Sequence, residues 1–527
     1  MFHVSKLEVI FMSLRDIVVL SDNEMVITDM NKPAVNFYGW KADEVKGKSI
    51  TFLIPTHPLD VPSSPVTLTA RLASGKDLIA VIQATRDPHG ELLAWTILPI
   101  ALPHVYEFGV HINIRAALTP KLSISDLDFE GRRVFIRVDF NVPFEHQTGK
   151  IRDDSRIRAA IPTIKKIMGE GGRVIIGSHL GRPKKPNPKQ SLQRILPRLK
   201  ELLDTEVGFV PDVFQAADEV KKLKNGEVLL LENLRFFKGE DSKKSEDHRV
   251  LSRALASFSD IYVCDAFGTV HRVSASMTGI PRALGAGVTG YLIEKEIKAI
   301  KMVMLNPAQP LVAVIGGSKV SDKINILASI FNFAQIVVIG GSMAFTFLEA
   351  MGHNLGASKV ERAIKEKAGV VDLHVKAREL LALAKSRHVE IILPVDHSCA
   401  TSFKDETPHI TDTADVPPNY MALDYGPKTI ALAAKAVQEA RTLIWNGPVG
   451  VFEFPNFSRG TTAIAEGVKA NRKLVSIVGG GDTAASTKSY RSYFTHVSTG
   501  GGAFLELLEG KALPGLVCLT ARAAPKL

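Results

Sequence analysis

From about residue 119 to residue 527, short apolar runs rich in β-branched residues alternate again and again with helix-compatible stretches. Val134–Val138, Val174–Ile176, Val228–Leu231 and Ile261–Val263 make one set. Leu311–Ile315, Ile336–Ile339, Ile391–Leu393, Leu443–Trp445 and Ser476–Val478 make a second. A strand that is apolar at consecutive positions has to be covered on both faces, which is the mark of a parallel sheet with helices packed on each side. Two sets predict two Rossmann-like parallel-sheet α/β domains, 119–295 and 296–527. Tyr291–Leu305, with Lys295, Lys298 and Lys301 on a polar face, reads as the hinge helix between them. Ligands of such sheets lie outside the carboxyl ends of the strands, so the loops after these runs are where chemistry is expected.

Residues 1–118 are of another kind. Ile17–Leu20, Met25–Thr28, Leu78–Ile82 and Leu92–Ile97 are strand-like, and Asp22-Asn23-Glu24 reads as a hairpin turn. Asn31–Tyr38 and Ala42–Val45 are short helical stretches, and Pro55, Pro58, Pro62 and Pro65 mark an irregular connection. An antiparallel sheet with small helices across its face, a small α+β domain, is expected. The order of these elements, with Asn31-x-x-Ala34, Tyr38-Gly39-Trp40, Glu44-Val45-x-Gly47-Lys48 and Leu53-Ile54-Pro55, resembles the PAS family of sensor domains. That resemblance implies a sensor of unknown ligand. A response to pH, haem or another small molecule, and plain partner association all stay open, with His3, His57, His89, His104 and His111 in the segment. A flavin–cysteine adduct within it is excluded, since every cysteine lies beyond residue 260.

Charge divides along the same boundary. Residues 1–118 hold ten Lys and Arg against twelve Asp and Glu, which leaves 55 basic and 43 acidic residues in 119–527. A basic catalytic part suits a small anionic substrate. No dense Lys/Arg stripe with interleaved aromatics argues for nucleic acid. No apolar run approaches the roughly 18 residues of a membrane span. Cys264, Cys399 and Cys518 are too widely spaced for a metal pattern and suggest a reducing compartment. The cytoplasm is the expected location. The ending Pro525-Lys526-Leu527 is close enough to the S-K-L address to keep a peroxisome-like organelle as the alternative.

Two motifs read as a nucleotide phosphate site. Val314-Ile315-Gly316-Gly317-Ser318-Lys319-Val320-Ser321-Asp322-Lys323 and Ser476-Ile477-Val478-Gly479-Gly480-Gly481-Asp482-Thr483 each run from strand through glycines towards a helix, which leaves backbone N–H groups free for phosphate. Lys319 and Lys323, four apart, are expected on one face of the helix that follows. Asp482 is a hard oxygen ligand suited to Mg²⁺. In the first set, Arg156, Arg182, Arg235 and Arg272 fall at or near successive strand ends and are expected to converge, as a small, multiply anionic substrate would require. His179 and His271 lie among them, as loop-ordering side chains or as donors to substrate.

Taken together, Arg137–Pro143, Ser178–Pro183, Asp265–Arg272, Gly316–Lys323, Trp445–Phe454 and Gly479–Thr483 resemble the 3-phosphoglycerate kinase family in order across 119–527. The resemblance implies reversible transfer of the acyl phosphate of 1,3-bisphosphoglycerate to Mg-ADP, giving 3-phosphoglycerate and ATP. It implies phosphoglycerate contacts at Asp139, Asn141, Arg156, His179, Arg182, Arg235 and Arg272. Nucleotide contacts are implied at Lys319, Lys323, Gly341, Asn446, Glu453, Gly480, Gly481, Asp482 and Thr483, with Asp482 on magnesium. Arg156 and Lys319 would be the catalytic pair. Ser318, Ser342 and Val449 depart from the family's usual Ala, Gly and Pro. A monomer is expected, with association through the PAS-like part possible. The other function class is a catalytically weak nucleotide-binding scaffold that recruits partners.

Overall fold

The computed structural model describes five strands between residues 18 and 99, residue 118, and residues 120–522 apart from 146, 243, 306 and 367–368. The helices expected at 31–38 and 42–45, the five histidines of the first segment and the tail at 525–527 lie outside the described residues. The chain divides into two compact units, Met1–Asn113 and Ile114–Leu527.

In the first unit, β1 (Val18–Ser21), β2 (Ile27–Met30), β3 (Val66–Arg71), β4 (Asp77–Arg86) and β5 (Leu92–Pro99) form an antiparallel sheet in the order β2-β1-β5-β4-β3. The β1–β2 pairing agrees with the expected hairpin. The unexpected strand is β3, where Thr67 and Thr69 alternate with apolar residues and weaken the hydrophobic signal.

The second unit has two lobes. The first carries a six-stranded parallel sheet of β6 (Arg133–Val138), β7 (Arg173–Gly177), β8 (Val207–Val210), β9 (Val228–Leu231), β10 (Ile261–Asp265) and β11 (Val288–Thr289), ordered β11-β10-β6-β7-β9-β8. Helix α1 (Ser155–Gly169) puts Ile157, Ala160, Ile164 and Ile167 against it. Helix α2 (Tyr291–Met304) leads into the second lobe.

There β12 (Leu311–Ile315) and β13 (Ile336–Ile339) precede a hairpin of β14 (Ala363–Glu366) and β15 (Gly369–Asp372). Next come β16 (Glu390–Ile392) and a three-stranded antiparallel sheet of β17 (His397–Ala400), β18 (His409–Ile410) and β19 (Met421–Tyr425). β20 (Thr442–Asn446), β21 (Val475–Gly479) and β22 (His496–Val497) complete a parallel sheet ordered β16-β13-β12-β20-β21-β22. All five residues of β12 are fully buried, as continuous apolar strands require. Each of its large side chains is stabilised by roughly 1.5–3 kcal/mol on leaving water. The antiparallel sheet and the hairpin were not expected from the alternating pattern.

After β22 the chain returns to the first lobe. Lys121 and Ala521 form an antiparallel bridge, and the Thr520 N–H donates to Gly287 O at 2.8 Å.

Candidate functional site

Register builds the site. Parallel pairing sets Ile339, Ile315, Asn446 and Gly479 side by side at the ends of β13, β12, β20 and β21. The turns after these strands therefore emerge in one row. They pack backbone on backbone: a Cβ on Gly447, whose φ is 97°, would lie 2.0 Å from Gly316 O. No side chain fits there.

A cavity of about 320 Å³ opens over this row, lined by Lys319, Lys323, Asn446 and the Gly480–Thr483 turn. Lys319 is exposed and, among the described residues, has no carboxylate partner. The Lys323 amine donates to Asn446 Oδ1, and burial pushes its pKa down to about 8 against the opposing pull of Asp322, Glu509 and Asp482. Asn446 Nδ2 is in turn tied to Gly479 O at 2.7 Å. The Thr483 hydroxyl donates to Gly479 O at 2.9 Å and accepts from Gly447 N–H at 2.7 Å, so it locks two turns together.

The expected shared helical face for Lys319 and Lys323 is not what forms. Helix α3 (Ile324–Ile330) begins only after Lys323, and both lysines sit in the preceding loop. Ser321 explains this, since its N–H and hydroxyl bind the Glu361 carboxylate at 3.0 and 2.7 Å and hold the loop away from helix. Asp482 does open a helix, α4 (Gly481–Ser486), and it is exposed towards the cavity.

A neighbouring cavity of about 610 Å³ shares Gly317, Ser318 and Asp482 and adds Gly341 and Glu453. Its other walls are largely apolar, with Phe345, Phe403, Leu423 and Val449 among them beside Lys359 and Asp424. Buried His397 also lines it, its Nε2–H donating to Ala414 O at 3.0 Å with its ring edge-on to Phe345. A polar, cation-lined hollow beside an apolar one suits a ligand with a phosphate end and a flat ring. The sequence reading missed Phe345, His397 and Phe403. Phe345 comes from the helix Met343–Ala350, and the other two from the antiparallel sheet and its β17–β18 loop, which the alternating pattern did not announce.

Across the first sheet, Arg182, Arg235 and Arg272 line one cavity of about 740 Å³. Arg235 Nη1 donates to Gly181 O at 2.7 Å and its Nε lies 2.9 Å from Asp241. Arg156 stands apart from that cavity, at the start of α1, with Nη1 2.9 and 3.0 Å from the two oxygens of Asp139. Asn141 Oδ1 accepts from Gly181 N–H at 2.8 Å, and His179 is 3% exposed. Burial and the charges of Arg137, Arg235, Arg156 and Arg272 hold the His179 pKa well below its ordinary value. His271 Nδ1 and Arg272 Nε are buried without a partner among the described residues, as groups waiting for a ligand would be.

The family model for phosphoglycerate kinase matches residues 124–511. This chain belongs to the phosphoglycerate kinase family. It is a phosphotransferase with a carboxyl group as acceptor. The glycosomal phosphoglycerate kinase of Crithidia fasciculata is 48% identical over 425 residues, covering 77% of this chain and 91% of that relative. The cytosolic phosphoglycerate kinase of Leishmania major is 47% identical over 426 residues, covering 77% of this chain and all of that one. The solved phosphoglycerate kinase of Coxiella burnetii is 38% identical and superposes with a TM-score of 0.67, covering 76% of this chain and 100% of that structure.

Two of the three positions read as departing from the phosphoglycerate kinase pattern touch each other: Ser342 Oγ donates to Ser318 O at 3.1 Å. The third, Val449, presses on Gly340, where a Cβ would stand 2.5 Å away. One feature of this site went unread in the sequence, the run Gly500-Gly501-Gly502. A Cβ on Gly500 would meet Phe267 at 2.5 Å and one on Gly501 would meet Gly480 Cα at 2.7 Å. These glycines begin helix α5 (Gly501–Leu508) and join the Asp265–Arg272 loop to the Gly480 turn. The Ser-Thr-Gly-Gly-Gly composition was the available signal.

Proposed function

We propose that this enzyme transfers the acyl phosphate of 1,3-bisphosphoglycerate to Mg-ADP, reversibly, with phosphoglycerate on the arginine-lined first lobe and nucleotide on the glycine turns of the second. The observation that carries this reading is the pairing of a three-arginine cavity on one lobe with a lysine- and glycine-lined cavity on the other. Asp139, Asn141, Arg156, His179, Arg182, Arg235 and Arg272 take the phosphoglycerate. Gly341, Asn446 and Glu453 hold the nucleotide together with Lys323 and the Gly480–Thr483 turn. Among the described residues no cluster of three His, Cys, Asp or Glu could enclose a metal. The exposed Asp482 carboxylate fits Mg²⁺ all the same, because Mg²⁺ is commonly held by one or two carboxylates, substrate phosphates and water. When bound it would neutralise phosphate charge.

In the direction of ATP consumption the acceptor is a carboxylate, already ionised near neutral pH, so no general base is needed. What the chain has to supply is alignment and cancellation of charge on the phosphoryl group. Lys319, exposed and without a carboxylate partner among the described residues, and Arg156, oriented by Asp139, would take that role. Helix α2 between the lobes is where closure over both ligands would hinge. A coupled assay for ATP formation from 1,3-bisphosphoglycerate and ADP tests the reading, and no ATP above background would reject it.

The five-stranded antiparallel sheet supports a PAS-like sensor in the first unit, which would bias opening and closing of the cleft. Turnover of the full chain is compared with that of a chain beginning near Thr119, across pH and candidate ligands. Identical kinetics throughout would reject regulation. A cytosolic monomer is the accompanying reading, and relatives are named both cytosolic and glycosomal.

A further inference from the structure

Arg137, at the end of β6, is 2% exposed, and its guanidinium is held on several sides. Nε donates to Ser276 Oγ at 2.7 Å, Nη1 donates to Val138 O, and Nη2 lies 3.8 Å from the Glu240 carboxylate. Glu240 is itself buried. It accepts from Ser276 N–H at 3.0 Å, Ser276 Oγ at 2.5 Å and Ser274 Oγ at 3.1 Å. Ser276 belongs to a π-helical turn, Ala275–Gly279, a geometry frequent at functional sites.

One edge of the guanidinium remains, and Nη2 lies 3.3 Å from His179 Nδ1. A guanidinium offers only N–H donors and no acceptor. Nδ1 must therefore carry the lone pair, which leaves the proton of the neutral ring on Nε2. No described group bonds to Nε2, so that donor is left for a ligand.

We propose that Arg137 is a positioning residue that holds His179 in its neutral Nε2–H tautomer, aiming a fixed hydrogen-bond donor at the anionic phosphoglycerate. This rests on the reading of His179 as a substrate contact. The charged groups around the imidazole are Arg137, Arg156, Arg235 and Arg272, all cationic, with Glu240 beyond Arg137. A second ring proton would have to point Nδ1–H at the Arg137 guanidinium. The donor therefore persists across the pH range in which a free imidazole changes charge.

The test uses the full chain with ¹⁵N-labelled histidine, the His179 signals being assigned with His179→Gln. Two-bond ¹H–¹⁵N correlation is expected to place Nδ1 in the lone-pair range and Nε2 in the protonated range, unchanged from about pH 5.5 to 8. Arg137→Met paired with Glu240→Gln, which avoids a lone buried carboxylate, is expected to give mixed tautomers that titrate in that window. Its KM for 3-phosphoglycerate should rise about tenfold, the loss of one hydrogen bond to a charged group, with the KM for nucleotide unchanged. Arg137→Lys should restore part of the signature. A parent ring protonated on Nδ1 or titrating near pH 6.5, or a double variant that keeps the Nε2–H signature, would overturn the proposal. The spectroscopic readout needs no turnover. A chain unable to make ATP would count against the proposed reaction, while the spectra would still decide the role of Arg137.

Discussion

The Glu296 carboxylate, on the helix between the lobes, lies 2.8 Å from His496 Nε2 on the last strand of the second sheet, and both side chains are buried. Its other oxygen takes the Thr499 N–H at 2.7 Å and the Thr499 hydroxyl at 2.8 Å. One side chain thus fastens α2 to the point from which the chain runs back to the first lobe. Glu296→Leu should cost about 3–5 kcal/mol, because it strands buried donors that had a charged acceptor. Denaturant unfolding measures this, and a loss below about 1 kcal/mol, the range of exposed pairs, would refute it.

Lys319 is exposed and free of carboxylates among the described residues, so its substitution should leave folding alone. Lys319→Met is expected to lower kcat by roughly 10²–10³, the cost of removing one electrostatic stabiliser of transition-state charge. KM values for both substrates should change little. An equal rise in KM with kcat intact would make Lys319 a binding residue only.

Arg182 shares its cavity with Arg235 and Arg272. Arg182→Lys keeps the charge and removes the planar fork, so the KM for 3-phosphoglycerate should rise about tenfold or more, with the KM for ATP unchanged. Equal effects on both would indicate a damaged fold instead.

His397 is buried with its pKa pushed down to about 4, chiefly by burial. The unfolded chain takes up that proton near pH 6.5, the folded chain only near 4. Between these values the unfolded state holds more protons, so this residue's contribution falls as pH falls. His397→Phe keeps an aromatic ring against Phe345 and abolishes the dependence. The stability difference between pH 8 and pH 5 should shrink by about 2 kcal/mol, read from unfolding at each pH. At pH 8 the variant should be weaker by about 1 kcal/mol, since the contact with Ala414 O is lost.

Gly501 faces Gly480 so closely that a methyl group would stand 2.7 Å from Gly480 Cα. Gly501→Ala should cost about 1–3 kcal/mol as an overpacked contact. It should also raise the KM for nucleotide by displacing the Gly480 turn. Unchanged nucleotide KM in a destabilised protein would show that the turn yields elsewhere.

Much of this architecture was readable because a parallel strand covered on both faces has to be apolar at every position. Val134–Val138 and Leu311–Ile315 announced themselves that way, and β6 and β12 lie where those runs fall. Val207–Val210 and His496–Val497 did not, being short and mixed in polarity at the sheet edges. The lysine spacing misled for a local reason, since a period of 3.6 presumes helix and the Ser321–Glu361 contact keeps that loop out of one.

Composition and order alone determined that this chain would build two covered parallel sheets, with cationic and glycine-rich loops at their carboxyl ends. Only the folded chain decided which loops meet. Strand register aligns residues more than 100 positions apart, as with Ile315 and Asn446, and the antiparallel sheet carries His397 to the wall of the apolar cavity. The tautomer of His179 was settled at the same level, by the 3.3 Å approach of Arg137, because a hydrogen bond depends on distance and direction in space that sequence separation does not set.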